Sequence, residues 1–157
     1  MKSAETKTKT AESNEPEAQR QIVAFRAGEE VFGLEIGNVR EVIEYREVTP
    51  VPRAPEFVAG IISLRGAILP VVDLRKRIGM EPTEPGPETV ILVLEVDGRR
   101  VGLVADRILD ILKAGPERAL RTKERKGAVS QEYIQEILKV EDRVVILLRV
   151  DQLISTG

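Results

Sequence analysis

The chain has 157 residues, of which 42% are hydrophobic and 32% are charged, and its net charge is −2. This balance predicts a globular protein of one domain or two small ones, with no general attraction to nucleic acid or anionic membranes. The absence of cysteine and histidine excludes disulfides, thiolate metal sites and cysteine nucleophiles, and closes off most hydrolase and metalloenzyme designs. We therefore predict a protein that is not an enzyme and that holds no metal or cofactor.

The N-terminal residues 1–20 are predicted to form a disordered tail, because they are rich in Lys, Glu, Thr and Ser and poor in apolar residues. They lack the apolar segment of a signal peptide, and no apolar run in the chain approaches the ~20 residues of a membrane span. We expect a cytoplasmic protein whose folded part covers residues 21–157.

The folded part begins with two strand-like segments, residues 21–26 and 31–36, joined by a short hairpin loop. Residues 37–43 place three apolar side chains at positions i, i+3 and i+4, which favours a short helical turn over a bent strand. Three prolines between residues 50 and 55 then predict an extended passage without helix.

The centre of the sequence is a predicted hairpin, in which the apolar runs Val58–Leu64 and Ala67–Val72 flank the dipeptide Arg65-Gly66. Gly66 supplies the positive φ that a two-residue turn needs. Pro70 cannot donate to a ladder, so its strand is predicted to lie at a sheet edge or to carry a bulge. Adjacent apolar residues point to opposite faces, so we expect both faces of the hairpin to be covered.

Arg65 has two readings at the tip of this hairpin. It is either a solvated turn residue or a guanidinium held on a rigid turn beside apolar surface, where it suits a partner's carboxylate or carbonyl groups.

After the hairpin, Asp73 predicts the N-cap of a short helix over residues 74–78, which Gly79 ends. Residues 80–88 hold three prolines and a glycine and predict a linker, near residues 79–88, between the two halves of the sequence.

The second half contains the clearest turn signal, since the Asp-Gly pair at residues 97–98 suits a type I′ turn between strands in 89–96 and 99–112. Near the end, residues 143–150 predict a buried strand, and Asp151 predicts the cap of a last helix over 152–155.

The two halves resemble each other. Residues 32–43 match 101–112, and residues 68–74 match 146–152, which in this register puts Arg65 opposite Arg143. The parallel predicts that residues 134–140 form a strand like the one at 58–64, although their apolar spacing is helical. A repeat of short strands punctuated by glycine and proline predicts two small β-barrels that pack together and leave a groove between them.

Taken together, the motifs resemble the CheW family of chemotaxis coupling proteins over residues 21–154. Several linked motifs in one order carry the resemblance: Phe32-Gly33-Leu34, Val39-Arg40-Glu41-Val42, Pro55-Glu56-Phe57-Val58-Ala59-Gly60, Ser63-Leu64-Arg65-Gly66, Pro70-Val71-Val72-Asp73-Leu74-Arg75 and Val101-Gly102-Leu103-Val104-Ala105-Asp106. Ser63 is a departure, since the family pattern usually has asparagine at that position.

The resemblance implies a mainly β fold of two intertwined five-stranded SH3-like barrels, with short helical turns and a short C-terminal helix, and no catalytic activity. It implies an adaptor between the cytoplasmic tip of methyl-accepting chemoreceptors and the regulatory domain of the histidine kinase CheA, located at receptor arrays on the inner face of the membrane. By motif position, the receptor-binding residues would be Val39, Arg65, Val90 and Ile108, and the kinase-binding residues would be Glu41, Val42, Ala59 and Gly60.

Two alternatives stay open at this point. One is an adaptor of the same family in another pathway, such as surface motility, because partner identity lies outside the chain. The other is a small β-barrel that binds nucleic acid, against which the neutral charge and the five aromatic residues count.

Overall fold

The computed structural model describes residues 20–114, 119–120 and 129–155, and these contain eleven strands and two short α-helices. The strands are β1 (Arg20–Ala27), β2 (Glu30–Glu35), β3 (Val39–Glu44), β4 (Val58–Leu64), β5 (Ala67–Asp73), β6 (Val90–Val96), β7 (Arg99–Ala105), β8 (Arg107–Ala114), β9 (Ala119–Leu120), β10 (Ile134–Val140) and β11 (Arg143–Leu148). The helices are α1 (Leu74–Ile78) and α2 (Val150–Ile154), and 3-10 turns cover Ile36–Asn38 and Gln131–Tyr133.

The strands form two sheets. Sheet 1 has the order β8-β1-β2-β11-β10-β9, and sheet 2 has the order β3-β6-β7-β5-β4. The N-terminal hairpin β1–β2 therefore completes a sheet made of C-terminal strands, which is the intertwining that the family resemblance implies. The mainly β fold is confirmed. The predicted tail lies outside the described residues except for Arg20, which begins β1.

The edges of each sheet are brought toward one another. In sheet 2, Thr49 follows β3 and pairs with Ile61 of β4 at the opposite edge, through N–O distances of 3.0 and 2.8 Å. In sheet 1, the edge strands β8 and β9 are separated by only four residues of sequence, and β9 pairs with β10. Sheet 1 has six strands because its last strand, β9, is a separate segment of two residues. Both sheets fit the expected five-stranded barrels.

Three apolar cores explain why so many strands are apolar on both faces. One core is shared by the two sheets, and each sheet also has an inner core made only of its own residues. In β6 all five residues Val90–Leu94 are buried: Val90, Leu92 and Leu94 lie in the shared core, while Ile91 and Val93 lie in the inner core of sheet 2. Successive side chains of a strand point to opposite faces, so a strand between two cores reads as a continuous apolar run.

The sequence repeat is visible in the pairing register. Val71 pairs with Gly102 in the parallel contact of sheet 2, as Leu147 pairs with Gly33 in the parallel contact of sheet 1. Both glycines are needed there, because a Cβ at Gly33 would lie 2.5 Å from the Ile22 side chain and one at Gly102 would lie 2.8 Å from Ile91. We call β1–β5 with α1 repeat 1 and β6–β11 with α2 repeat 2; each sheet takes one hairpin from the other repeat.

The register corrects one detail of the predicted repeat. We call β4–β5 the first central hairpin and β10–β11 the second. Leu64 pairs with Ala67 across the first, as Val140 pairs with Arg143 across the second. Arg143 is therefore equivalent to Ala67, and Arg65 is equivalent to Glu141. The predicted matches of residues 68–74 with 146–152 and of Arg65 with Arg143 were wrong by two residues. They aligned Asp73 with Asp151, whereas the residue equivalent to Asp73 is Arg149, the N-cap of α2.

Several local predictions are confirmed. The Asp73 carboxylate accepts a hydrogen bond from the Lys76 amide at 3.3 Å, and α1 ends at Gly79 with φ of 91°. Asp97 and Gly98 both have positive φ, 52° and 79°, as a type I′ turn requires. Residues Ile134–Val140 form strand β10, because alternation between two cores outweighs their helical spacing.

Other local predictions were wrong. The helical turn predicted at 37–43 is only a 3-10 turn ending at Asn38, followed by strand β3. The backbone of β3 pairs with β6, and Val39 and Ile43 pack on the two cores of sheet 2. Helix α2 begins after Arg149, so Asp151 lies in its first turn and is not its cap. Pro70 lies in an interior strand, and the irregularity of the β4–β5 ladder falls between Val58 and Gly60. Pairing of β5 with β7 starts only at Val71, so Pro70, which has no amide proton to donate, pairs with β4 but not with β7.

Candidate functional site

The tip of the β4–β5 hairpin presents a guanidinium. Arg65 and Gly66 have φ of 53° and 82°, so the turn is of type I′ and its first residue is held in the left-handed region. The Arg65 side chain is 71% exposed. Its Nε and Nη2 donate to the two carboxylate oxygens of Glu41 on β3, at 3.1 and 2.8 Å. This is a two-pronged pairing, which fixes the plane of the guanidinium as well as its position.

The pairing favours the charged form of both groups. The hydrogen bond from Arg65 lowers the pKa of Glu41, against a smaller opposing effect of burial, and the charges of Arg65, Arg40 and Arg100 lower it further. The same hydrogen bond raises the pKa of Arg65. Both side chains therefore stay ionised at neutral pH, and a partner that takes one of them competes with the other.

The ion pair is one rung of a seam between β3, with the chain that follows it, and β4. At one end, Thr49 and Ile61 are joined by backbone hydrogen bonds. Farther along, the Arg46 Nη1 donates to the Ser63 carbonyl at 3.0 Å, and at the tip the side chains of Arg65 and Glu41 span the gap. A surface cleft of about 180 Å³ lies beside the seam, lined by Arg46, Glu47, Thr49, Ile61, Ile62, Ser63 and Ile68.

The outer face of the β4–β5 hairpin is apolar and open. Ile61 pairs with Pro70 and Ser63 with Ile68, and residues paired across an antiparallel ladder share a face. Ile68 is 69% exposed, and Pro70 is also exposed. The expectation that both faces are covered is wrong near the tip, where only the inner face is buried. An exposed aliphatic side chain beside an oriented arginine is typical of a contact surface.

The four predicted kinase-binding residues lie on sheet 2. Glu41 and Val42 are neighbours on β3, and Val42 is 38% exposed. Ala59 is half-buried against the inner core. Gly60 is buried with φ of 150°, and a Cβ there would overlap the Thr49 carbonyl oxygen. The geometry thus gives Gly60 a structural role at the bridge that joins the edges of the sheet.

The four predicted receptor-binding residues are spread over both sheets. Val39 on β3 and Ile108 on β8 occupy equivalent positions in the two repeats, and both are half-buried against the shared core. Val90 is 9% exposed and lies in the same core, so little of its surface faces outward. Ile108 lines a cleft of about 320 Å³ together with Arg26, Arg107, Leu109, Asp110 and Arg143.

The structure brings one residue from each predicted list into direct contact. Arg65 was assigned to the receptor and Glu41 to the kinase, and the two are ion-paired. Repeat 2 has a weaker counterpart, in which Arg143 Nη1 donates to the Asp110 carboxylate at 3.4 Å. Asp110 is equivalent to Glu41, whereas Arg143 follows its turn and does not lie within it.

Sequence reasoning missed the ion pair that joins the two sheets. Arg75 of α1 donates to both oxygens of Asp106 at 3.1 and 2.6 Å, and the Gly28 amide donates to the same carboxylate at 2.8 Å. Burial raises the pKa of Asp106, but the hydrogen bonds from Arg75 and Gly28 outweigh it and the pKa is lowered. The pairing with Asp106 also raises the pKa of Arg75. Residue 106 separates β7 from β8, where the chain passes from sheet 2 to sheet 1.

It also missed the exposed isoleucines Ile68 and Ile111, which are 69% and 54% exposed. A signal was present for Ile68, because its cross-strand partner Ser63 is polar. Within the described residues no group of three or more acidic or histidine side chains could hold a metal ion. None of the helices in that part of the chain is long and apolar enough to cross a bilayer.

The chain is similar to known proteins in both sequence and fold. A family model described as "CheW-like domain" matches residues 21–157. The chain is 37% identical to a chemotaxis protein CheW of Rhizobium meliloti, over 84% of this chain and 85% of that protein. It is 34% identical to a probable chemotaxis protein CheW of Rhizobium etli, over 88% and 90%. The crystal structure of scaffolding protein TtCheW from Thermoanaerobacter tengcongensis superposes with a TM-score of 0.78 at 29% identity, covering 88% of this chain and 90% of that one.

Proposed function

Because the chain belongs to the CheW-like family of non-catalytic chemotaxis scaffold proteins, we propose that it joins the cytoplasmic tip of methyl-accepting chemoreceptors to the regulatory domain of the histidine kinase CheA. Its place would be the cytoplasm, at receptor arrays on the inner face of the membrane. No metal, cofactor, nucleic acid or membrane insertion enters this proposal.

The observation that carries the proposal is the ion pair at the tip of the β4–β5 hairpin. Arg65 and Glu41 are oriented by two hydrogen bonds, yet the Arg65 side chain remains 71% exposed. A guanidinium on a rigid turn loses little conformational entropy when a partner carboxylate or carbonyl binds its free donors. Two binding surfaces that share such a pair are close enough for one small tip to contact both partners.

For the receptor, the proposed site contains Val39, Arg65, Val90 and Ile108. Arg65 would be its polar anchor, and Val39 and Ile108 would offer the part of their surface that the shared core leaves open. The buried Val90 would act by shaping the floor of the site and not by direct contact.

For the kinase, the proposed site contains Glu41, Val42, Ala59 and Gly60 and continues onto the outer face of the hairpin. Val42 and Ile68 supply its exposed apolar surface, and Gly60 keeps β4 against Thr49 so that this surface holds its shape. An apolar patch rimmed by charge is the usual composition of a specific protein interface.

The test is a titration of the full chain against two separate probes, a receptor-tip fragment and the regulatory domain of the kinase. Arg65→Ala should weaken receptor binding about tenfold, since arginine anchors at interfaces are worth on the order of 1–2 kcal/mol. Arg65→Lys keeps the charge but loses the planar fork, so we expect a partial loss. Glu41→Arg should weaken kinase binding through like-charge contact.

The matched control is the double variant Glu41→Arg/Arg65→Glu, which restores an ion pair of reversed direction. It should fold like the wild type and still bind both partners poorly, because the partners meet reversed charges. Wild-type protein that binds neither probe would overturn the proposed function. Restoration of both affinities in the double variant would show that the pair matters only for the fold of the tip.

A further inference from the structure

Hydrogen bonds from one arginine, Arg77, join helices α1 and α2. Arg77 of α1 donates from Nε to the Leu153 carbonyl at 3.1 Å, and from Nη2 to the carbonyls of Gln152 and Ser155 at 2.8 and 2.6 Å. The last carbonyls of a helix have no partner within the helix, and a cation there is favourably placed at the negative end of the helix. Arg77 therefore supplies the C-terminal cap of α2 from the other repeat.

The guanidinium is also held between two aromatic rings. Its central carbon lies 3.9 Å from the centre of the Phe57 ring and 5.3 Å from that of Tyr133, distances at which a cation is attracted to a ring face. The two rings are equivalent in the repeats: Asp73 donates its amide to the Phe57 carbonyl and Arg149 donates to that of Tyr133, both at 2.8 Å.

The position of this contact in the chain gives it a consequence for the whole molecule. Helix α1 follows β5 directly, and α2 follows β11 after one residue, so Arg77 joins the ends of the two central hairpins. The shared apolar core holds the sheets together, but apolar burial is non-directional. The directional contact of Arg75 with Asp106 links α1 to the crossover between β7 and β8, and not to the second central hairpin. Hydrogen bonds to three carbonyls and a fixed place between two rings are directional, and they are made by one side chain.

We propose that Arg77 is a positioning residue that fixes the angle between the two central hairpins and thereby assembles the receptor site, whose residues come from both sheets. The binding part of this inference rests on the function proposed above. Val39, Arg65 and Val90 lie in sheet 2 and Ile108 in sheet 1, whereas the four kinase residues all lie in sheet 2. Removing the contacts of the Arg77 side chain should therefore weaken receptor binding and leave kinase binding nearly unchanged.

The first test needs no partner. The chain has no cysteine, so nitroxide labels can be attached at Ile68→Cys on β5 and Lys139→Cys on β10, two exposed positions on the two central hairpins. The distribution of distances between the labels should be narrow with Arg77 present and broader or shifted in Arg77→Met, which keeps a long apolar stem between the rings but no charge or donors. Arg77→Lys keeps the charge without the fork and should lie between them. Identical distributions in all three proteins would overturn the proposal.

The second test uses the receptor-tip fragment and the kinase regulatory domain with unlabelled protein. Arg77→Met should lose about fivefold in receptor affinity, because a site that must be ordered on binding loses the advantage of preorganisation, while kinase affinity should stay within about twofold of the wild type. Arg77→Lys should recover part of the receptor affinity. A parallel loss for both partners would mark Arg77 as merely structural and overturn the proposal.

The two tests separate the inference from its premise. Wild-type protein that binds neither probe contradicts the proposed function, yet the label distances still decide whether Arg77 fixes the hairpins. If Arg77→Met does not fold, Arg77→Lys and a Phe57→Leu variant carry the same measurements, since each removes one of the directional contacts.

Discussion

The two central hairpins, β4–β5 in sheet 2 and β10–β11 in sheet 1, have the same register and opposite surroundings. Ile137 and Ile146 pair across the second hairpin and are 0% and 3% exposed, within the shared core. Their equivalents Ile61 and Pro70 are half-exposed and exposed. The outer face of the second hairpin packs against the other sheet, whereas that of the first stays open near the tip. A repeat that folds alike twice can thus assign one copy to stability and the other to contact.

The turns of the two hairpins differ in the same sense. The first turn is Arg65-Gly66, and the second is Glu141-Asp142, whose two residues have φ of 52° and 67° without a glycine. The first tip carries the oriented ion pair with Glu41 at 2.8 Å, and the second carries only the 3.4 Å contact between Arg143 and Asp110. The ion pair at the first turn is therefore closer than its counterpart at the second.

The largest expected effect separates the two outer faces by stability. Ile137→Ala should lower the free energy of unfolding by about 2–5 kcal/mol, because it opens a cavity in the shared core. Ile68→Ala should change it by no more than about 0.5 kcal/mol, as is usual at exposed positions. Urea unfolding followed by far-UV circular dichroism measures both. Equal losses would mean that the face of the first hairpin is covered in solution, and the comparison would fail.

The next effect concerns binding. Ile68→Asp should weaken binding of the kinase regulatory domain about tenfold, or about 1.4 kcal/mol, because it places an unpaired charge in an apolar contact. Ile111→Asp is the matched control, since it changes an isoleucine that is 54% exposed on sheet 1, and kinase binding should not change. Isothermal titration measures both variants, and a loss in the control as large as in Ile68→Asp would remove the distinction between the hairpins.

The comparison extends to the two places where the chain passes between sheets. Asp106 forms one crossover, pinned by Arg75 and Gly28, and Gly37 is its equivalent in the other, where a Cβ would meet no atom within 4 Å. Asp106→Asn should cost about 1–2 kcal/mol at neutral pH, allowing for partial exposure of the pair. Gly37→Ala should stay within about 0.5 kcal/mol. A large effect at Gly37 would contradict the asymmetry between the crossovers.

The pH dependence of stability expected for the Asp106 variant follows from the direction in which folding shifts the pKa of Asp106. The pKa of Asp106 is lowered in the folded protein from an ordinary value of 3.8, so its stabilisation is fully present above that value and is lost as the pH falls through the lowered pKa. The difference in unfolding free energy between wild type and Asp106→Asn should therefore be constant near neutrality and shrink below pH 3.8. Urea titrations across this range measure it, and a difference that grows on acidification would reverse the assignment.

The smallest effects are expected at the two tips. Arg65→Ala and Arg143→Ala should each leave the thermal midpoint nearly unchanged, because exposed ion pairs contribute little to stability and are screened by salt. Only Arg65→Ala should alter receptor binding. Thermal melts at low and high salt, beside the receptor titration, test this; a clear loss of stability for Arg65→Ala would turn the tip into a structural feature.

The sequence by itself determined several local elements of this protein and its family. Asp73 and Gly79 set the two ends of α1, because an N-cap and a left-handed residue act within one turn of chain. Arg65-Gly66 and Asp97-Gly98 form tight turns for the same local reason. The repeat and the linked motifs identified the family, since their order is written along the chain.

Only the tertiary structure decided which hairpin keeps an open face and which residues meet. Both central hairpins read as apolar on both faces, and alternation along a strand does not say which sheet covers it. The ion pair of Arg65 with Glu41 and the cap that Arg77 supplies to α2 join residues far apart in sequence. Such contacts depend on how two sheets close and pack, which is decided by the sum of many non-local burials and not by any short pattern.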